Sequence, residues 1–97
     1  MKNIEEIKRE IAAQLPSLQE KFSVKEIGIF GSVLSGKQTP ESDVDILVDF
    51  SKPIGLLNFV RLKNELSLLL GSPVDLVMKT ALKPSIGRRI LAEVIYV

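Results

Sequence analysis

Residues 43–50, DVDILVDF, alternate between two kinds of side chain. In an extended strand, successive side chains point to opposite faces of the sheet. One set consists of Val44, Ile46, Val48 and Phe50, and the other of Asp43, Asp45, Leu47 and Asp49. A strand with this alternation is buried on one face and accessible on the other. The segment therefore predicts a sheet with helices packed on one face and an open face that carries carboxylates.

Two long segments have the apolar spacing of amphipathic helices. In residues 3–22 and 56–70, apolar side chains recur at intervals of three or four. Asn3 is expected to cap the start of the first helix. Because Pro16 lacks a backbone N–H, it is expected to kink this helix or to restart it near residue 15.

The remaining segments predict further strands and one short helix. Residues 24–30 and 73–78 are short apolar runs bounded by turn residues, and residues 94–97, VIYV, are a possible fourth strand. Between residues 85 and 93 the pattern indicates a short helix, weakened by Gly87. This order predicts an α+β fold, with a small mixed β-sheet, helices packed on one face and an open active-site face.

The composition limits the chemistry that the chain can perform. Its length is that of one domain, expected to span residues 1–97. The sequence has no cysteine and no histidine, which excludes disulfides, thiolate metal sites and histidine bases. A metal site must therefore consist of oxygen ligands, which suits Mg²⁺, Mn²⁺ or Ca²⁺. The net charge of +1 gives no general attraction to nucleic acid or membrane. A cytoplasmic protein is expected, since no apolar stretch approaches about 18 residues.

Three aspartates are the candidate catalytic and metal-binding residues: Asp43, Asp45 and Asp75. The first two are two positions apart on a strand, so their Cα atoms are about 6.6 Å apart and their side chains point the same way. Asp75 joins them if its strand is a neighbour. Because unit negative charges about 4 Å apart repel by roughly 4 kcal/mol at an effective dielectric of about 20, such a cluster favours a bound cation. One or two Mg²⁺ ions could hold phosphate oxygens here and assist phosphoryl transfer.

Gly31 and Ser32 are the candidate nucleotide-binding residues. Glycine lets the backbone approach a ligand closely, and Ser32 is expected to begin a short helix whose N–H groups attract phosphate. Each motif alone has a simpler interpretation, a turn for Gly-Ser and a solvated strand end for Asp-x-Asp. The combination G-S-x10-D-x-D, with a strand on either side, favours a site for a nucleoside triphosphate.

This combination, with a third carboxylate on a later strand, resembles the motif of the minimal nucleotidyltransferases, the MNT or MntA-type antitoxins of the DNA polymerase β-like superfamily. The resemblance extends over nearly the whole chain. It implies a small cytoplasmic protein that transfers AMP from ATP, with Mg²⁺, to a tyrosine of a partner HEPN-domain toxin. It implies that Gly31 and Ser32 bind the triphosphate and that Asp43 and Asp45 bind both metal ions. Asp75 would hold the second ion and accept the proton of the attacking hydroxyl.

The stretch GSVLSG departs from the family pattern G-S-x-A-R-G at Leu34 and Ser35. The missing arginine would have been a charged donor near the phosphates. Lys37, in a turn expected over residues 35–42, could supply that charge or could be a solvated loop residue. The departure leaves open an alternative, in which a catalytically weak module neutralises its partner toxin by occlusion. A third alternative, transfer to a small molecule or an RNA end, is disfavoured because the sequence has no basic stripe.

Little chain follows the predicted catalytic strands, so the acceptor is expected to bind on the same open face or to be brought by a partner. Arg88 and Arg89 could contact that partner or the triphosphate, although a solvated helix face is the simpler interpretation. No direct binding of nucleic acid is expected. The acceptor, the base preference and the oligomeric state stay open, and a homo-oligomer is compatible with the pattern.

Overall fold

The computed structural model describes residues 3–36 and 43–97, which form four helices and one four-stranded sheet. In chain order these are α1 (Ile4–Phe22), β1 (Val24–Phe30), α2 (Ser32–Ser35), β2 (Val44–Phe50), α3 (Leu56–Leu70), β3 (Val74–Met78), α4 (Pro84–Glu93) and β4 (Ile95–Tyr96). A 3₁₀ turn, Lys79–Ala81, connects β3 to α4. Most of the turn predicted over residues 35–42, with Lys37, lies outside the described residues.

The sheet is mixed, with the strand order β3-β2-β1-β4. β1 pairs antiparallel with β2 on one side and with β4 on the other, whereas β2 pairs parallel with β3. Parallel neighbours need a long crossover connection, and α3 provides it here. The α+β fold with a small mixed sheet, as predicted from the sequence, is confirmed.

One face of the sheet packs against α1 and α3. The buried side chains of this core are Ile7, Ile11, Leu18 and Phe22 from α1, Leu62, Leu66 and Leu70 from α3, and Val24, Ile27, Ile29, Val44, Ile46, Val48, Val74 and Leu76 from the strands. In both helices they recur at intervals of four or seven, so each helix buries a single stripe. In β2 the apolar set predicted from the alternation, from Val44 to Val48, faces this core.

The ends of α1 and α3 are formed as their sequences predict. The Asn3 side chain accepts a hydrogen bond of 2.9 Å from the Glu6 backbone N–H, which satisfies one free donor of the first turn. Gly71 ends α3 in the left-handed conformation, with φ of 66°. None of the helices within residues 3–36 and 43–97 combines the length and apolar character that crossing a membrane requires.

α1 continues through Pro16, so the restart predicted near residue 15 does not occur. A proline inside a helix removes the bond to the carbonyl four residues earlier, here that of Ala12. Both Ala12 and Pro16 are exposed, so water can reach this carbonyl. Leu15 and Leu18 pack against the core on the opposite side. Tertiary packing therefore outweighs the local preference of proline.

The second face of the sheet is covered in part by the end of the chain. Phe30 and Leu47 lie on this face and are only 8% and 1% exposed. Gly28 lies beside Leu47 in the register, and a Cβ added to it would be 2.7 Å from Cγ2 of Val94. The glycine therefore lets the last residues approach β1. At the end of this face away from Val94, Asp43 and Asp75 are exposed.

α4 begins at Pro84, one residue before the predicted start, and proline suits the first turn because its N–H would be free there. Gly87 was expected to weaken this helix. In the structure it is buried, and a Cβ added to it would lie 3.1 Å from Cβ of Leu82. The missing side chain is thus what allows α4 to pack closely on the segment before it.

Leu66 and Leu68 provide a matched test of the core on one helix. Leu66 is 0% exposed, and Leu68 is 83% exposed. Leu66→Ala is expected to reduce the free energy of unfolding by about 2–5 kcal/mol, because it leaves a cavity between α3 and the sheet. Leu68→Ala should change it by less than about 0.5 kcal/mol. Urea denaturation measures both values, and equal losses would contradict this assignment of the buried stripe.

Candidate active site

Parallel pairing of β2 with β3 places two of the three predicted aspartates side by side. Asp45 and Asp75 are direct partners in the register, and Asp45 is also the partner of Phe30 on β1. Neighbouring strands are about 4.8 Å apart, so the two carboxylates face each other on the same side of the sheet. Asp43 precedes β2 by one residue and is exposed. The structure thus joins Asp45 to Asp75, with Asp43 next to this pair along the chain.

The carboxylate of Asp45 lies beside the negatively charged side chain of Asp75 on the neighbouring strand. Burial raises the pKa of Asp45 above its ordinary value, and the negative charge of Asp75 raises it further. Asp43 contributes a smaller repulsion in the same direction. Opposing them, the backbone N–H of Ser32 donates a hydrogen bond to the Asp45 carboxylate and lowers this pKa. The pair is therefore a site of excess negative charge that would be stabilised by a proton or a cation.

Gly31 packs directly against Asp45. Its φ of 79° and ψ of −143° belong to a region that is nearly restricted to glycine. A Cβ at this position would overlap Oδ2 of Asp45 and lie 2.9 Å from its Cγ. Gly31 was predicted to let the backbone approach a ligand, and the group that it approaches in the structure is the Asp45 carboxylate.

Ser32 begins α2, as predicted. Its N–H was expected to contact phosphate, whereas the structure shows it on Asp45. This contact was missed, because it depends on the pairing of Phe30 with Asp45, which brings the end of β1 beside the start of β2. The binding of a triphosphate by Gly31 and Ser32 stays a prediction.

Two neighbouring carboxylates, Asp45 and Asp75, are a suitable pair of protein ligands for Mg²⁺. Across residues 3–36 and 43–97, no group of three or more aspartate or glutamate side chains is arranged to hold a metal ion by itself. Mg²⁺ often takes only one or two carboxylates and completes its octahedron with water and substrate phosphates. Asp45 and Asp75 can provide these two, and Asp43 lies on the same face. The role of all three as metal ligands stays a prediction.

Leu34, one of the two departures from the family pattern, is half-buried and packs against the hydrophobic core. Its side chain therefore contributes to packing. The following residue, Ser35, ends α2. The difference at position 34 is thus a change in the core and leaves the contact between Asp45 and Asp75 in place.

Lys79 was not identified from the sequence. Its Nζ donates a hydrogen bond of 3.0 Å to Oε2 of Glu26 on β1 and lies 5.6 Å from the ring centroid of Tyr96 on β4. The hydrogen bond to Glu26, and then the contact with Tyr96, raise the pKa of Lys79. These contacts tie the turn after β3 to the other side of the sheet. No local pattern could predict them, because Lys79 and Glu26 are 53 residues apart.

A carboxylate pair on a small mixed sheet, with a Gly-Ser turn against it, defines a nucleotidyltransferase site. The family described as "Nucleotidyltransferase domain" matches residues 11–97 of this chain. The chain therefore belongs to the nucleotidyltransferase domain family. Both the resemblance drawn from the sequence and the prediction of a nucleotidyltransferase enzyme are confirmed.

The chain is similar in particular to small protein-modifying members of this family. It is 48% identical over 97 residues to the protein adenylyltransferase MntA of Thermococcus cleftensis, covering all of this chain and 98% of the relative. A solved structure assigned provisionally as a minimal nucleotidyltransferase has a TM-score of 0.81 at 35% identity, covering 97% of this chain and 95% of that one.

A more distant structure shares the fold alone. It is described as the tri-AMPylated HEPN toxin of Shewanella oneidensis in complex with an MNT antitoxin. The TM-score is 0.67 at 19% identity, and the match covers 93% of this chain and 70% of that one.

Replacing Gly31 should disturb the site more than replacing another glycine with positive φ. Gly36 has φ of 73°, and a Cβ there would meet no atom of the described residues within 4 Å. Gly36→Ala should therefore cost only the backbone strain, about 1–2 kcal/mol. Gly31→Ala adds the overlap with Asp45, and we expect a further loss of about 1–3 kcal/mol. Urea denaturation of both variants tests this, and equal losses would show that the approach to Asp45 is unimportant.

The raised pKa of Asp45 predicts a pH dependence of stability in the absence of metal. The native pKa lies above the ordinary value of 3.8, so between these two values the folded state binds more protons than the unfolded state. The free energy of unfolding must then fall as pH rises through this window. Asp45→Asn removes the titrating carboxyl group and with it this decrease in the free energy of unfolding. The stability of the variant relative to the wild type should therefore increase with pH across the window and then become constant.

Thermal melts between about pH 3 and pH 8 with a chelator present measure this difference. Asp49→Asn is the matched control, because Asp49 lies on the same strand and the same side of the sheet but outside the contact with Asp75. If the difference in stability between Asp45→Asn and the wild type did not change with pH relative to this control, the pKa of Asp45 would not be raised in the folded state.

Proposed function

We propose that the chain is a Mg²⁺-dependent protein adenylyltransferase that moves AMP from ATP to a tyrosine hydroxyl of a partner HEPN-type toxin. It thereby acts as an antitoxin, in the cytoplasm, with residues 1–97 as one domain. The observation that carries this proposal is the contact of Asp45 with Asp75 in a chain of the nucleotidyltransferase family. The full-length similarity to MntA supports a protein as the acceptor. The AMPylated HEPN toxin bound to an antitoxin of the same fold supports the class of partner.

In the proposed reaction, Asp43, Asp45 and Asp75 would hold the metal. When bound, Mg²⁺ would offset the repulsion between the carboxylates and supply charge stabilisation to the phosphate oxygens of ATP. Gly31 and Ser32 would hold the triphosphate beside them. The exposed Asp75 would accept the proton of the acceptor hydroxyl. The hydroxyl oxygen then bonds to the α-phosphorus as the bond to the β-phosphate oxygen breaks, and pyrophosphate leaves with that electron pair.

The carboxylate pair is tested first without any partner. Calorimetric titration should detect ATP binding only with Mg²⁺, and Asp45→Asn/Asp75→Asn should weaken that binding at least about tenfold, because both proposed ligands lose their charge. Asp49→Asn should bind as the wild type does. Unchanged binding by the double variant would place the nucleotide elsewhere on the protein.

Transfer is then measured as label from α-³²P-ATP on a purified HEPN-type partner. We expect the double variant to lose at least about a hundredfold in rate, because metal-dependent charge stabilisation is removed. Circular dichroism checks that the variant is folded. Label on RNA or on a small molecule, with none on the protein, would contradict the proposed acceptor.

The alternative of occlusion is decided in cells. If the chain acts by transfer, Asp45→Asn/Asp75→Asn should no longer suppress the toxicity of the partner. Full suppression by the double variant would favour a binding module that neutralises the toxin without chemistry. Pull-down of the toxin by both forms is the control that binding itself is intact.

A further inference from the structure

A groove of about 340 Å³ lies between α4 and the segment that precedes it. On the helix side it is lined by Pro84, Gly87, Arg88 and Leu91. These residues have the spacing i, i+3, i+4 and i+7, so they form one continuous stripe of α4. Lys79, Leu82 and Lys83 form the opposite wall.

The shape of this groove is set by close packing. Gly87 is buried, and a Cβ added to it would be 3.1 Å from Cβ of Leu82, so the helix lies directly on the preceding segment. Leu91 is 44% exposed at one end of the groove. The groove therefore combines a fixed floor with accessible apolar surface.

The polar side chains that line the groove are all basic. Lys79 has a partner in Glu26. Lys83 and Arg88 are exposed, and within residues 3–36 and 43–97 neither forms an ion pair. None of the carboxylates in the part of the chain that the structure describes lines the groove, although the net charge of the whole chain is only +1. Charge complementarity therefore calls for an acidic occupant.

The groove shares one residue, Lys79, with the face of the sheet that carries the aspartates. Lys79, in its wall, contacts Glu26 and Tyr96 across that face. Lys79 follows Asp75 by four residues, which corresponds to about 13 Å along an extended chain. Phosphates that share a metal with Asp75 must lie far closer to it than that, since Mg²⁺ binds its ligands at about 2.1 Å. An extended peptide of about four residues could span this distance.

We propose that this groove binds an acidic segment of the protein acceptor and thereby positions the acceptor hydroxyl at Asp45 and Asp75. Acidic side chains of that segment pair with Lys83 and Arg88, and an apolar side chain packs on Leu91. The proposal rests on the proposed function, because it takes the acceptor to be a protein. It adds the surface by which this acceptor is recognised.

The test is an NMR titration of the ¹⁵N-labelled protein with two peptides. One is the acidic acetyl-EELYEL-amide, and the other is its neutral counterpart acetyl-QQLYQL-amide. The acidic peptide should shift backbone amides of residues 82–91, and the neutral one should bind at least about fivefold more weakly. Lys83→Glu/Arg88→Glu should weaken binding of the acidic peptide at least about fivefold.

Arg89→Glu is the matched control for a single reversal, Arg88→Glu. Arg89 is the next residue of the same helix, is exposed like Arg88 and does not line the groove. Arg88→Glu should weaken the binding of the acidic peptide, and Arg89→Glu should leave its affinity nearly unchanged. Equal effects of the two reversals would show that the peptide responds to general surface charge and not to the groove, which would overturn the proposal.

Two further results would also overturn it. One is the absence of shifts in residues 82–91 at peptide concentrations up to about 5 mM, a weak-binding limit. The other is displacement of the peptide by inorganic triphosphate, which would make the groove a phosphate site.

The docking surface and the proposed chemistry can fail separately. The double variant Asp45→Asn/Asp75→Asn should lose Mg²⁺-dependent ATP binding and should still bind the acidic peptide. Lys83→Glu/Arg88→Glu should keep ATP binding and lose transfer to the protein partner. If the wild type bound the peptide but no ATP, the proposed function would fail while the docking surface stood.

Discussion

The contact between Asp45 and Asp75 depends on the parallel pairing of β2 with β3. Parallel strands cannot be joined by a tight turn, so α3 has to cross over the opposite face of the sheet. That crossover is held by the buried stripe of α3, with Leu62 and Leu66 fully buried against the strands. The hydrophobic core on one face thus holds two carboxylates together on the other. Two like charges, which would separate in an unfolded chain, are kept in contact by apolar packing that they take no part in.

The same pair explains the residues around it. The position of Gly31 against Asp45 leaves no room for a side chain, and the N–H of Ser32 partly offsets the repulsion. Burial and the charge of Asp75 together make Asp45 easier to protonate. A small domain has little stability to lose, so a repulsive pair of this kind is more readily understood as a binding site for a cation than as part of the scaffold.

The two ends of this face have different roles. At one end Asp75 is exposed and Asp45 is half-buried, which is where the nucleotide is proposed to bind. At the other, the last residues of the chain pack over Gly28, and Lys79 ties the turn after β3 to β1 and β4. This closed end places α4 and its basic groove beside the face on which the transfer would take place. A protein acceptor could then be recognised without a separate domain.

The sequence by itself determined the local elements and which residues are the candidates for the site. The apolar spacing set the stripes of α1 and α3, and the alternation in residues 43–50 set which face of β2 carries the aspartates. These patterns depend on neighbours two to four positions apart, which any local reading contains. Only the tertiary structure decided that Asp45 lies opposite Asp75, that Gly31 approaches a carboxylate, and that α1 continues through Pro16. Each of these follows from strand order or packing between segments distant in sequence, and such contacts are selected by how the whole chain buries its apolar surface.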